Sequence, residues 1–223
     1  MSKHSRAAAP PVRIAIAGLG AIGTKVMEAL DAGIPGCALA AVAARDLARA
    51  RRRVAQLRQP VPVVALHALE PLADMVAECS PAQLLPELAT PFLRAGKTVV
   101  VLSASALLSH PALIDLARQN GGQVVVPTGA LLGLDAITAA AEGAIHSVAM
   151  VTRKPVRGLV GAPYLVANDI RIEDIDAPVC VSRGTPRDAA VGFPANLNVA
   201  VALSLAGIGP DRTTLEIWAD PSL

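Results

Sequence analysis

The feature that most constrains the fold of this chain is a glycine pattern, G-L-G-A-I-G, at residues 18–23. An apolar run at 12–17 leads directly into the pattern, and the residues after it continue with helical spacing. Strand, glycine loop and helix in this order are typical of a dinucleotide-binding βαβ unit. We expect Gly18 to turn the chain out of the strand, Gly20 to leave room for a pyrophosphate, and Gly23 to let the helix lie close to the strand. A glycine-rich turn in some other α/β protein is the alternative.

The helix after the loop supplies a second reason to expect a nucleotide. Its first N–H groups have no acceptor within the helix and its dipole is positive at that end, so it attracts phosphates. We therefore predict NAD or NADP as the cofactor. The contacts predicted in this loop are Gly18, Gly20, Ala21, Ile22 and Gly23.

The choice between the two cofactors is predicted from the tip of the next strand. Residues 37–43 form a second buried strand that ends in Ala43-Ala44-Arg45-Asp46. An acid at such a tip binds the ribose 2′-hydroxyl of NAD, whereas an arginine suits the 2′-phosphate of NADP. Because Arg45 comes first and Asp46 one residue later, we expect NADP to be accepted as well as NAD. The alternative is that Asp46 caps the helix at 47–57 and Arg45 is solvated.

Apolar runs and helical segments alternate along the first half of the chain. The later strands are predicted at 60–66, 73–79, 97–102 and 123–126, and the helices between them at 82–95 and 111–119. Six strands alternating with helices predict a doubly wound parallel sheet of Rossmann type. The loops at the carboxyl ends of its strands should meet, which adds Ser80 and Ser103 to the predicted cofactor contacts.

The pattern changes after Pro127, and a smaller α+β domain with a mostly antiparallel sheet is predicted. Its strands are expected at 145–152 and 213–219, and its helices at 185–191 and 195–206. The predicted domains are a flexible tail at 1–11, a dinucleotide-binding domain at 12–128 and a substrate domain at 129–223. A cleft between two domains is the default place for a small-molecule substrate.

Charge and composition exclude several other classes of protein. The net charge is only +2 and no basic cluster has aromatic residues beside it, so we expect no nucleic-acid partner. No apolar run reaches the roughly 18 residues of a membrane span, so we expect no membrane partner. The arginine run at 49–53 is interpreted as a solvated helix face. Cys37, Cys79 and Cys180 are scattered, which predicts a cytoplasmic protein without a metal site.

Three further motifs make the second half specific. They are G-A-L-L-G-L-D-A at 129–136, T-R-K-P at 152–155 and F-P-A-N-L-N-V-A at 193–200. Together with the glycine loop, they resemble the L-aspartate dehydrogenase family over nearly the whole chain. The resemblance implies oxidation of L-aspartate to iminoaspartate with NAD or NADP. The imine then hydrolyses to oxaloacetate and ammonia or feeds NAD biosynthesis. We also expect a homodimer.

The same resemblance implies further contacts in the second half. Ala130 and an asparagine of the 194–198 segment, Asn196 rather than Asn198, are expected to contact the nicotinamide side of the cofactor. From its position alone, Asn196 is also suited to cap the following helix. Arg153 and Lys154 at a strand end, with Asn198, are candidates to bind the dicarboxylate substrate, the arginine in bidentate fashion. A surface charge pair is the alternative for the two cations.

No catalytic residue is predicted within the chain. A neutral histidine suits the proton transfer that amine oxidation needs, and of the four histidines only His146 is expected near the cleft. The resemblance implies a catalytic histidine a few residues after an Asp-Pro pair, which corresponds here to a place beyond Leu223. We therefore expect a longer protein. The 223 residues alone are expected to bind NAD(P) with negligible turnover, and the final strand is expected to be left as an exposed sheet edge.

Two other function classes remain open. One is another Rossmann reductase of similar build, acting on a semialdehyde or a cyclic imine. The other is a catalytically inactive NAD(P)-binding or sensor protein. Reduction of the cofactor by L-aspartate distinguishes the first class from both of these.

Overall fold

The computed structural model describes residues 9–129, 131–193 and 197–223. The chain divides into two compact units. The first runs up to Ser103 and includes Pro111–Val125, and the second consists of Ala104–His110 and Val126–Leu223. The segment at 104–110 therefore groups with the second unit, although it lies inside the range 12–128 expected for the dinucleotide-binding domain.

Strands and helices are numbered in chain order. The strands are β1 Val12–Ala17, β2 Cys37–Ala43, β3 Val63–Val64, β4 Met75–Glu78, β5 Thr98–Val101, β6 Gln123–Val125, β7 Ala149–Pro155, β8 Val179–Gly184 and β9 Thr214–Asp220. The α-helices are α1 Ala21–Gly33, α2 Leu47–Val54, α3 Leu85–Arg94, α4 Ala104–Ser109, α5 Ala112–Asn120, α6 Leu134–Ala140, α7 Pro163–Ala167, α8 Pro186–Gly192 and α9 Asn198–Ala206.

The first unit contains the predicted six-stranded parallel sheet. The strand order is β3-β2-β1-β4-β5-β6, and every neighbouring pair is parallel. The chain therefore winds outward in both directions from β1 and β4, which confirms the doubly wound Rossmann-type fold. The carboxyl ends of all six strands lie along one edge, and the glycine loop leaves β1 at that edge.

The core of this unit explains why its central strands are mostly apolar. Ile14, Ile16 and Val42 are buried in the sheet, and α1 covers them with Met27 and Leu30. A parallel sheet covered on both faces requires such continuous apolar strands. The predicted third strand at 60–66 shrinks to the two residues of β3, because the prolines at its start cannot donate to a strand ladder.

The second unit has a three-stranded sheet in the order β7-β9-β8. β9 is parallel to β7 and antiparallel to β8, so the sheet is mixed rather than mostly antiparallel. β9 is the central strand, and the expectation that it would be left as an exposed edge is wrong. β8 was not predicted as a strand.

The start of β7 also differs from the prediction. The strand begins at Ala149 rather than at Ile145, so His146 lies in the coil before the strand instead of opening it. Three helices complete the core of this unit. α8 and α9 cover the sheet residues Leu215 and Ile217, and α4, which was not predicted, contacts both helices. In the residues that the structure describes, no helix is long and apolar enough to cross a membrane.

Candidate functional site

The glycine loop has the geometry that its sequence predicts. Gly18 has φ +100°, a backbone conformation that suits glycine, and a Cβ there would overlap the carbonyl of Cys79. A Cβ on Gly23 would overlap the carbonyl oxygen of Gly18 and lie 3.1 Å from the Cβ of Cys79. Gly18 thus makes the turn out of β1, and Gly23 lets α1 approach the loop.

Gly20 is different, because its side-chain position is open. Within the described part of the chain, a Cβ there would meet no heavy atom within 4 Å, and the residue precedes the first turn of α1, which Ala21 and Ile22 begin. The first N–H groups of a helix have no acceptor inside it, and this turn contains no acidic residue. The amino-terminal end of α1 is therefore an electropositive surface that a phosphate could approach closely.

A cavity of about 640 Å³ opens beside this loop. Its walls come from the glycine loop, the tip of β2, helix α2 and the segment after β4, at the carboxyl edge of the sheet. The lining residues include Gly18, Gly20, Arg45, Arg49, Arg53, Cys79 and Ser80. Three of the four loops that were expected to meet thus share one cavity.

The hydroxyl of Ser80 is an unpaired polar group in the cavity wall. Its Oγ is buried and has no hydrogen-bond partner among the described residues. A buried hydroxyl without a partner is costly, and a bound polar molecule would supply the missing bond. The orphaned hydroxyl, the open position at Gly20 and the helix end together fit a dinucleotide at this edge of the sheet.

Arginines line the side of the cavity next to β2. Arg45, at the tip of the strand, is followed at intervals of four residues by Arg49 and Arg53 on α2, and all three line the cavity. Arg49 lines the cavity but is exposed, as the prediction of a solvated arginine run requires. Arg53 is half-buried, so the prediction fails for this residue. Its spacing of four from Arg49 could have revealed that both lie on one side of α2, because residues four apart share a helix face.

Two contacts fix this region locally. Asp46 caps α2, since its Oδ1 accepts a hydrogen bond from the Arg49 N–H at 2.9 Å. Arg53 donates from Nη1 to the carbonyl of Leu19 at 3.1 Å and to the hydroxyl of Thr24. The acid at the strand tip is thus used as a helix cap, and Arg53 ties α2 to the glycine loop.

Ser103 follows β5 at the same edge but is not among the residues that line the cavity. Its N–H donates to Oε2 of Glu78 at 2.8 Å, and its hydroxyl donates to Oε1 at 3.1 Å. Glu78 is completely buried at the end of β4. It was not among the predicted residues, since its position at the end of an apolar run gives no local signal.

Cys79, the next residue, is an unreactive residue of the cavity wall. Burial, together with the negative charge of Glu78, raises the pKa of its thiol to about 11. The side chain is therefore a neutral thiol at physiological pH, which does not act as a nucleophile. No group of three or more potential metal-binding side chains occurs within 9–129, 131–193 and 197–223.

In the second unit, the structure separates the two candidate cations. Consecutive residues of a strand point to opposite faces, so Arg153 and Lys154 do not converge on one ligand. Arg153 lies 3.4 Å from Asp220 and 5.6 Å from the centre of the Trp218 ring. Hydrogen bonds from Ser222, and more weakly Arg153, hold the pKa of Asp220 below its usual value. Lys154 is half-buried and has no ion-pair partner among the described residues.

The remaining predicted site residues are Asn198, Ala130, Asn196 and His146. Asn198 begins α9, and its side-chain oxygen accepts a hydrogen bond from the Ser105 N–H at 3.3 Å, at the start of α4. Ala130 and Asn196 lie outside the described residues. His146 is exposed.

Two family models match the chain. One, described as the NAD-binding domain of homoserine dehydrogenase, covers residues 18–127. The other, the C-terminal domain of aspartate dehydrogenase, covers residues 135–223. The first match contains the glycine loop and the cavity, and the second covers most of the second unit.

Full-length relatives agree with these models. The L-aspartate dehydrogenase of Bradyrhizobium diazoefficiens is 54% identical over 216 residues, which are 97% of this chain and 77% of that protein. L-aspartate dehydrogenase 3 of Bordetella bronchiseptica is 54% identical over 94% of this chain and 78% of its own length. The crystal structure of an aspartate dehydrogenase from Thermotoga maritima has a TM-score of 0.71 at 22% identity, covering 95% of this chain and 80% of that one.

Proposed function

The chain belongs to the L-aspartate dehydrogenase family, and we infer that it oxidises L-aspartate with NAD or NADP. The C–H bond next to the amine breaks, its hydride passes to the nicotinamide, and a proton is released. Iminoaspartate is formed and reacts with water to give oxaloacetate and ammonia. The observation that carries this function is the glycine-loop cavity in a chain that shares 54% identity with such enzymes.

The bound cofactor supplies the hydride acceptor, and the residues of the first unit hold and orient it. The open position at Gly20 and the first turn of α1, with Ala21, Ile22 and Gly23, receive the pyrophosphate. The buried hydroxyl of Ser80 supplies a further hydrogen bond. In this proposal Ser103 does not contact the cofactor directly, because its hydrogen bonds go to Glu78.

We propose that NADP is accepted alongside NAD. Arg45 and Arg49 line the cavity at the tip of β2, the place where this fold holds the adenosine ribose. A 2′-phosphate there would meet two guanidinium groups. Asp46, the acid that would favour NAD, already accepts the N–H that it caps.

Substrate binding is assigned to the second unit. Lys154 is the preferred cation for a substrate carboxylate, because Arg153 already neighbours Asp220 and Trp218. Ala130 and Asn196 are proposed to contact the nicotinamide side of the cofactor, as the family resemblance implies. Asn198 is a weaker candidate, since its side chain already caps α4.

The cellular compartment, the oligomeric state and the metabolic use of the product are also proposals. Three free cysteines suit a reducing cytoplasm. A homodimer would cover apolar side chains that the second unit exposes, among them Val151, Val166 and Val191. We further propose that the iminoaspartate can feed NAD biosynthesis.

The function is tested by titrating the NAD-loaded and NADP-loaded protein with L-aspartate while recording heat and nicotinamide absorbance together. Saturable binding of L-aspartate that requires the cofactor is expected, with no such binding of an aldehyde or cyclic imine. Cofactor binding without L-aspartate binding would instead favour a sensor. Reduction of the nicotinamide in the same titration reports the oxidation itself and would place the proton acceptor among the residues of this chain, with His146 and Lys154 as the first candidates.

A further inference from the structure

Glu78 is a buried acid that the proposed function does not use. It is the last residue of β4 and is 0% exposed. Its carboxylate accepts hydrogen bonds from the Leu102 N–H at 3.0 Å, the Ser103 N–H at 2.8 Å and the Ser103 hydroxyl at 3.1 Å. Among the described residues, no lysine, arginine or histidine forms an ion pair with it.

The geometry of the loop after β5 does not by itself require a charge at this position. A glutamine could accept both N–H groups with its carbonyl oxygen, and its amide could donate to the Ser103 hydroxyl, which also accepts. A buried carboxylate costs considerably more desolvation free energy than such an amide unless something compensates for its charge. This desolvation cost indicates that the negative charge of Glu78 itself has a function.

The strand order places this charge relative to a bound dinucleotide. The two halves of the sheet diverge between β1 and β4, and the pyrophosphate belongs at the loop after β1. The adenosine half extends over β2, towards Arg45. The nicotinamide half must then extend the other way, over β4, whose axis is about 4.8 Å from that of β1. Glu78 ends β4, and Cys79 and Ser80 directly after it line the cavity.

We infer that Glu78 is a fixed negative charge that favours the oxidised nicotinamide over the reduced one. The oxidised ring carries a positive charge, and the hydride taken from the substrate neutralises it. A buried anion nearby therefore attracts the cofactor before the reaction and no longer attracts it afterwards. Oxidised cofactor is captured more tightly, and reduced cofactor is released more readily.

The field of Glu78 reaches the cavity wall. Its negative charge contributes, after burial, to the raised pKa of the Cys79 thiol, and Cys79 is one of the residues that line the cavity. The inference rests on the proposed cofactor site. It concerns only the ratio of two affinities at that site, and the failure of one can therefore be told from the failure of the other.

The test is calorimetric titration of the Glu78→Gln variant with NAD⁺, NADH and ADP-ribose, which lacks the nicotinamide. The ratio of the NAD⁺ to the NADH dissociation constant should rise roughly ten-fold, as expected for one unit charge at about 10 Å in an effective dielectric near 20. ADP-ribose affinity should stay unchanged. Glu87→Gln, the same substitution on the exposed face of α3, is the matched control and should leave the ratio unchanged.

A second variant separates charge from loop position. Glu78→Asp keeps the charge but shortens the side chain, so any loss of affinity should be the same factor for all three ligands and the ratio must be preserved. If the glutamine variant does not fold, Glu78→Ala removes the same charge and must raise the ratio in its place. An unchanged ratio in Glu78→Gln, or a raised ratio in Glu78→Asp, overturns the inference. A wild-type protein that binds none of the three ligands overturns the proposed cofactor site instead.

Discussion

Gly20 and Gly23 lie three residues apart and meet opposite requirements. Gly23 faces the carbonyl of Gly18 at a distance that excludes a Cβ, whereas Gly20 faces open space beside the cavity. The first glycine of the two is therefore expected to matter for ligand binding and the second for stability. Two substitutions separate these roles.

Gly23→Ala should lower the free energy of unfolding by at least about 2 kcal/mol, because its Cβ overlaps a backbone atom that cannot move away cheaply. Gly20→Ser, at the residue that caps α1, should change it by no more than about 0.5 kcal/mol, since serine is a favoured cap and its Cβ meets nothing. Urea denaturation measures both. A Gly23→Ala variant as stable as the wild type would contradict the close approach of α1 to the loop.

At the scale of one side chain, Arg45 is the residue that we propose to set the choice between NAD and NADP. Arg45→Ala should weaken NADP binding by about 1.5–3 kcal/mol, the range for hydrogen bonds to charged groups, and leave NAD binding nearly unchanged. Calorimetric titration with both cofactors measures this. Arg52→Ala is the control, because Arg52 is exposed on α2, the helix that follows Arg45, and is not among the residues that line the cavity. Equal losses for NAD and NADP would remove Arg45 from the 2′-phosphate position.

At the scale of elements, the start of β4 is held to β1 by an ion pair. The Arg13 side chain lies 2.6 Å from Asp74, whose carboxylate also accepts the Arg13 backbone N–H at 3.0 Å. These hydrogen bonds, more than the positive charge itself, lower the pKa of Asp74 to about 2. Because the pKa is lowered in the folded state, the pair stabilises the fold above about pH 4 and ceases to do so as the pH falls towards 2.

Asp74→Asn should therefore lower the free energy of unfolding at pH 6, and the difference from the wild type should shrink as the pH is taken from 4 towards 2. The effect is small, because both side chains are about half exposed and solvent screens them. Thermal melts across this pH range measure it, and Arg13→Gln should lose the same pH-dependent part. A difference that persists undiminished near pH 2 would show that the ion pair is not its source.

Local sequence predicts the elements of this chain unequally. β1 and β2 begin and end at the predicted residues, because each is a mostly apolar run, broken in β1 only by Arg13, and the glycines Gly18 and Gly36 turn the chain beside them. α4 has only six residues, and its first turn is capped by Asn198, which is 93 residues from Ser105 in the sequence. β8 contains serine, arginine and glycine and owes its strand form to pairing with β9. Contacts between residues this far apart in the chain cannot be inferred from the local sequence pattern.

At the scale of the whole molecule, topology is what made much of the candidate site predictable. Once parallel strands are inferred, their carboxyl ends must share an edge, and Gly18, Arg45 and Ser80 do line one cavity there. Arg49 and Arg53 were missed because a charged run usually forms a solvated face. Glu78 was missed because its three hydrogen-bond donors come from the loop after β5, which sequence alone does not place beside it.

The most direct test of the central claim, that this cavity binds NAD(P), is calorimetric titration of the wild-type chain and of Gly20→Val with NAD and NADP. We expect saturable binding of both cofactors to the wild type. We expect no measurable binding to the variant, whose fold should persist, since a Cβ at this position has no heavy atom of the described residues within 4 Å. A melting curve of each protein confirms that both are folded. A wild-type chain that binds neither cofactor, or a folded Gly20→Val variant with unchanged affinity, would show that the cavity is not the NAD(P) site.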